Sequence, residues 1–185
     1  MRELSLHISD ILENSRTAAS DLIKLFIDEN PEKNYLKIEI IDNGSGISAE
    51  KLGNITDPFV TSRTTREVGL GLSLFKAAAE KTNGSFGIDS KEGEGSRVIA
   101  EFEYDHIDRA PLGDIAATVS NFIAANGDEL DLVYHHIYVD EEFKLDSRQV
   151  KKELDDLSIQ SPAVVSWINE FIEENLQEIR GGEAF

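Results

Sequence analysis

The chain of 185 residues contains no cysteine, which excludes a disulfide framework and thiolate metal sites. Basic residues are scarce: 18 Lys and Arg stand against 36 Asp and Glu, a formal net charge of −18. That balance argues against a nucleic-acid binder, because such binding relies on cations that neutralise phosphates. No apolar run approaches the ~20 residues that a bilayer span requires. The first 20 residues carry Glu3, Asp10, Glu13 and Asn14 in a helical pattern, not the apolar core of a signal peptide. The expectation is a soluble cytoplasmic protein without membrane contact.

What is present suffices for a core: 40% of the residues are hydrophobic, so general disorder is ruled out. The acid is unevenly spread, with a net charge of −6 over residues 1–104 and −12 over residues 105–185. The shift falls near Tyr104-Asp105-His106 and predicts two units, 1–104 and an acidic α+β extension over 105–185. No internal repeat or low-complexity run interrupts either.

Hydrophobic periodicity predicts the elements. Leu4, Ile8, Ile11 and Ser15 form a helical stripe over residues 3–18, and 22–28 and 35–42 alternate as strands around a turn at Pro31 and Asn34. A short helix over 48–55 precedes an aperiodic loop at 57–68 and a helix over 70–81, closed by Asn83-Gly84 as a left-handed cap. Strands at 85–90 and 97–104 flank Gly93-Glu94-Gly95, a hairpin signal. Beyond residue 105 the pattern predicts a helix at 112–125, a hairpin over 130–145 and helices at 147–156 and 162–178. The last carries an apolar stripe of Val164, Trp167, Ile168, Phe171, Ile172 and Leu176, expected to pack in the core, with a partner-docking face as the alternative.

Several residues could carry chemistry. Asp10 and Asn14 lie four apart, on one helical face, and an Asn amide oxygen suits Mg²⁺, which takes few protein ligands and completes its shell with phosphates and water. Asp42 ends a strand just before Gly44 and Gly46, where a carboxylate can accept from an exocyclic amine while the glycines let a flat ring approach. Gly69-Leu70-Gly71-Leu72 opens a helix, exposing backbone N–H groups to phosphate. Thr61, Ser62, Arg63, Thr64, Thr65 and Arg66 just before it supply hydroxyls and cations. Gly44 through Ala49 formally matches a dinucleotide fingerprint, but no acid closes a second parallel strand about 20 residues on. That match is rejected, and no P-loop signature is present. His135 and His136 are adjacent on a strand, point to opposite faces and cannot jointly grip a metal.

The set Asp10-Ile11-Leu12-Glu13-Asn14-Ser15, Asp42-Asn43-Gly44-Ser45-Gly46-Ile47, Asp57-Pro58-Phe59 and Gly69-Leu70-Gly71-Leu72-Ser73 resembles the GHKL superfamily of ATP-binding domains. Gyrase, heat-shock chaperones, sensor histidine kinases and mismatch-repair MutL proteins share that fold. The resemblance covers residues 1–104 and implies an α+β fold, a two-layer α/β sandwich of the histidine-kinase-like ATPase type, with ATP and Mg²⁺ as cofactors. It implies Asn14 as the Mg²⁺ ligand, Ala18 as the small residue after it and Asp42 as the reader of the adenine amino group. Gly44, Gly46 and Ile47 would line the base, Ser96 would stand near it, and residues 60–68 would form a lid. Thr61, Ser62 and Arg63 in that lid and the turn Gly69, Leu70, Gly71 and Leu72 would contact phosphate.

Where hydrolysing relatives carry a Glu as general base, this chain has Asp10, one methylene shorter; histidine kinases usually have Asn there. Because the chain starts three residues before this helix, the resemblance leads us to expect no upstream dimerisation domain. Two functions are consistent with these residues: a Mg-dependent protein kinase or slow ATPase with a regulatory role, or a non-catalytic nucleotide-gated module for a protein partner.

Overall fold

The computed structural model describes residues 2–52 and 71–181. Its elements are α1 (Leu4–Thr17), β1 (Leu22–Asn30), β2 (Tyr35–Asp42), α2 (Ala49–Leu52), α3 (Gly71–Glu80), β3 (Ser85–Lys91), β4 (Gly95–Glu103), α4 (Ile115–Asn126), β5 (Asp131–Tyr138), β6 (Glu141–Asp146), α5 (Ser147–Glu153) and α6 (Pro162–Ile179). Each predicted element within the described residues is present. The largest boundary differences are at α5, which ends at Glu153, not at 156, and at α4, which starts at Ile115, not at 112, because the Asp114 side chain caps it by accepting from the Ala117 N–H at 2.8 Å.

All six strands join one sheet in the order β3-β4-β2-β1-β5-β6. Every neighbouring pair is antiparallel except β1 with β5, which run parallel from Leu22↔Asp131 to Glu29↔Tyr138. Strand alternation sends Ile23, Leu25 and Ile27 of β1, Leu36, Ile38 and Ile40 of β2, and Val98, Ala100 and Phe102 of β4 into one buried face. Helices pack over it in the order α3-α1-α4-α6, which gives two layers around one core. Both the sheet and the helical layer therefore run without a break across residue 104.

The C-terminal part also holds the start of α1. Helix N-termini leave their first N–H groups without helical partners, and Glu3 provides no side-chain cap here. Leu4 N–H and Ser5 N–H instead donate to the carbonyls of Pro111 (2.9 Å) and Leu112 (2.8 Å). On α6 the predicted apolar stripe is buried at Val164, Ile168, Ile172 and Leu176, but Trp167 is corrected: it is 48% exposed, stacked on Phe171 with centroids 5.0 Å apart. Trp167 sits at the edge of the stripe, and one aromatic neighbour satisfies its inner face. No helix among the described residues is long and apolar enough to cross a membrane.

Candidate functional site

The end of β2 and the last turns of α1 build a cavity of about 380 Å³. Asp42 stands at the centre of its hydrogen bonding. Its Oδ2 accepts from Ser15 Oγ at 2.9 Å, and Oδ1 accepts from the Gly44 N–H at 2.9 Å and Ser20 Oγ at 3.3 Å. Three donors from α1, its following turn and the glycine loop thus fix the carboxylate while leaving lone pairs for a ligand.

The glycine loop is tied down on both sides. Ser45 N–H donates to the Ala18 carbonyl and Gly93 N–H to the Ser45 carbonyl, each at 2.8 Å. Gly46 has φ +65°, and a Cβ there would lie 2.0 Å from the Lys91 carbonyl oxygen, so no side chain fits. The next residue, Ile47, donates its N–H to Ser90 Oγ at 2.9 Å, and Ser90 Oγ in turn lies 2.9 Å from Ser96 Oγ. Asp42 and Ser96 are direct partners in the β2–β4 register, which brings the two predicted adenine-side residues together.

Asn14, Ala18, Asp42, Gly46, Ile47, Leu72 and Ser96 all line this one cavity. Gly44 lies beneath Asp42, packed against Ala18 and Ser20. Asp10 is not among the lining residues. It is one turn from Asn14, against the first residue of α3: a Cβ on Gly71 would be 3.0 Å from Asp10 Cβ and 3.1 Å from Oδ2. Desolvation by that neighbourhood raises the Asp10 carboxyl above its ordinary value. Glu13, the alternative carboxylate on this helix, pairs with Arg16 on the exposed side and is held below the usual range by that bond. Thr61, Ser62, Arg63, Gly69 and Leu70 lie outside the described residues.

Sequence reasoning overlooked the roles of Ser15, Ser20 and Ser90. Ser15 reads as one more position on the buried stripe of α1, and only the proximity of β2 shows that its hydroxyl holds Asp42. Ser90 was legible in principle, because the Gly93-Glu94-Gly95 hairpin places it opposite Ser96.

Asn14 is half-buried at the cavity, and its side-chain amide makes no hydrogen bond among the described residues. Its oxygen is thus available to a hard cation. The described residues hold no group of three or more His, Asp or Glu side chains that could cage a metal. The chemistry therefore fits Mg²⁺ held by one protein oxygen and by phosphate, the common pattern for that ion. The histidines separate as expected: His136 bonds Tyr134 and Glu29 inside the core, whereas His135 bonds Glu142 on the other face.

A two-layer sandwich with this cavity between α1 and the β2–β4 strand pair defines a nucleotide-binding domain of the GHKL class. The family described as histidine kinase-, DNA gyrase B-, and HSP90-like ATPase matches residues 2–106, and the chain belongs to it. An uncharacterized sensor-like histidine kinase of Rhizobium meliloti is 39% identical over 84 residues, 43% of this chain and 16% of that protein. The sensor kinase CckA of Brucella abortus is 35% identical over 86 residues, 46% of this chain and 9% of that protein. The sensor protein kinase WalK of Staphylococcus aureus is 36% identical over 82 residues, covering 42% and 20%. The matched stretch is thus a fifth or less of each of these proteins. Among solved structures, the N-terminal domain of a DNA repair protein superposes with a TM-score of 0.57 at 14% identity, covering 79% of this chain and 53% of that one. The Aquifex aeolicus MutL ATPase domain complexed with ADP does so at 0.50 and 12% identity, covering 84% and 68%. These two show a shared fold.

Proposed function

We propose that the chain binds Mg-ATP in the Asp42 cavity and acts as a regulatory protein kinase or slow ATPase. The observation that carries this reading is the Asp42 carboxylate. Donors from three segments orient it, and Asn14 stands on the same cavity wall. The carboxylate would accept from the adenine amino group. Asn14 would hold Mg²⁺, which supplies charge neutralisation at the phosphates when bound. Asp10, beside the first turn of α3, would take the proton from an attacking water or hydroxyl. Its raised pKa favours that role, since a stronger base accepts a proton more readily.

A second reading, a nucleotide-gated module for a protein partner, is favoured by the bonds from α1 to Pro111 and Leu112. They tie the helix that bears Asn14 directly to the acidic C-terminal part, so a nucleotide-dependent shift of α1 would be felt there. Single-turnover assays with excess protein and Mg-ATP separate the two. In the enzyme reading, ADP forms over minutes to hours, and Asp10→Asn slows its formation about 100-fold or more while Kd stays within about threefold. Bound ATP recovered intact from the parent protein would establish the module in its place.

A further inference from the structure

β6 is the last strand of the sheet, and no strand among the described residues pairs with its outer side. Such an edge offers unpaired N–H and C=O groups to another chain unless a proline, a bulge or a cover blunts it. β6 has no proline, and its register with β5 runs unbroken from Val133↔Asp146 to Tyr138↔Glu141.

The backbone direction along β6 follows from β5. At the two ends of β5 the Asp131 and Val139 N–H groups donate to the carbonyls of Asp21 and Glu29, on the β1 side. Direction alternates along a strand, so Tyr134, His136 and Tyr138 turn their backbone groups to β6, where their partners are Leu145, Phe143 and Glu141. Glu142 and Lys144 therefore direct their N–H and C=O to the open edge. Their side chains are exposed on the face of the sheet opposite α6. Glu142 bonds His135 there at 2.8 Å, yet its side chain remains 68% exposed.

On the helix-covered face the same edge is aromatic. Phe143 meets Phe171 of α6 with centroids 5.6 Å apart, and Phe171 carries the exposed Trp167. Asn169 bonds Ser120 of α4. Trp167 and Phe171 are each two residues from Asn169, about 200° around the helix, and so lie on the flank towards the open edge.

This edge is complementary to itself. A twofold axis at Phe143 would set Glu142 opposite Lys144 of a second copy, and Lys144 opposite its Glu142. These are the residues with outward backbone groups, so each opposed pair can exchange two hydrogen bonds while joining opposite charges. An axis at Glu142 or at Lys144 would set like charges face to face. One at Leu145 would run the second chain into α5, which starts at Ser147. The axis at Phe143 also brings the two copies of the Phe143–Phe171–Trp167 cluster together. We propose that the chain forms a twofold dimer through β6, joining two six-stranded sheets into one and covering Trp167 between the two α6 helices.

Sedimentation velocity over a concentration series tests this, in about 0.15 M salt to screen the repulsion between two acidic chains. The parent should pass from 20.5 kDa to twice that mass, with the change complete by about 100 µM chain. Trp167, the only tryptophan, should shift its emission to the blue over the same range. Lys144→Glu and Glu142→Lys each turn both cross-strand pairs into like charges, and each should weaken the dimer at least tenfold. Mixed one to one, the two variants restore opposite charges at both pairs and should form a mixed dimer as tight as that of the parent. Both positions are exposed, so thermal melts of the variants should match the parent. A chain that stays monomeric at every concentration overturns the proposal and leaves the edge to a strand of another protein. A dimer that both single variants retain, or that their mixture fails to restore, also overturns it and assigns the contact to another surface.

Discussion

Replacing Asp42 with Asn separates the role of this residue in folding from its role in recognition. The amide keeps the shape of the carboxylate. Its oxygen can still accept from the Gly44 N–H and Ser20 Oγ, while its NH₂ meets Ser15 Oγ, a hydroxyl that can rotate to accept. The fold should therefore lose no more than about 1 kcal/mol. For the base the change is larger, because an NH₂ now faces the adenine amino group where an anionic acceptor stood. A hydrogen bond to a charged group contributes about 1.5–3 kcal/mol, and leaving a donor unsatisfied costs about 1–3 kcal/mol. Together they amount to roughly 2.5–6 kcal/mol, a loss of affinity of about seventyfold to about twenty-thousandfold. Calorimetric titration of parent and variant with Mg-ATP reads the affinity, and a thermal melt checks the fold. A variant that melts like the parent and binds ATP within threefold of it would refute the assignment of Asp42 to the base.

Further predictions concern the supports of the site and of the fold. Ser15→Ala removes one of the three donors that orient Asp42 and should weaken ATP binding about fivefold by calorimetry, the worth of one ordinary hydrogen bond. His7 is 3% exposed, stacked on Phe75 with centroids 5.2 Å apart, and burial lowers its pKa from 6.5 to about 4. Its folded value lies below the unfolded one, so its effect on stability is absent above pH 6.5 and grows as the pH falls towards 4. Between pH 7.5 and 5 that loss is about 2 kcal/mol, which urea melts should find missing in His7→Phe. Val139 holds φ +57° in the two-residue turn between β5 and β6. Glycine leads at such positions, so Val139→Gly should raise stability by about 1 kcal/mol, visible as a higher melting temperature.

Much of this fold was readable because the elements are locally consistent. The alternation of Leu36, Ile38 and Ile40, the Asn83-Gly84 stop and the glycines around residue 94 each signal one structure, and each element is found there. What local pattern could not reveal is the long-range pairing. That β5 lies parallel to β1 depends on residues over a hundred positions apart, such as Leu22 and Asp131. The composition shift at residue 104 marks a change in surface charge, and the sheet passes through it. The site shows the same division. Asp42, Gly46 and Asn14 stand out because their residue types and spacing are unusual, whereas Ser15, Ser20 and Ser90 acquire roles only from tertiary contact. The exposure of Trp167 was hidden for a related reason: periodicity assigns a residue to a stripe but does not show where the stripe ends.

The central claim, that an adenine nucleotide occupies the Asp42 cavity, is tested most directly by ¹H–¹⁵N NMR of the full chain titrated with Mg-ADP. The account predicts saturable shifts at the amides of Gly44, Gly46, Ile47 and Ser96, and at the side-chain amide of Asn14, with β6 and α5 unmoved. Saturable shifts that leave these groups still and fall instead around Arg109, Ile115 and Arg180, or no shifts at all at millimolar nucleotide, would contradict it.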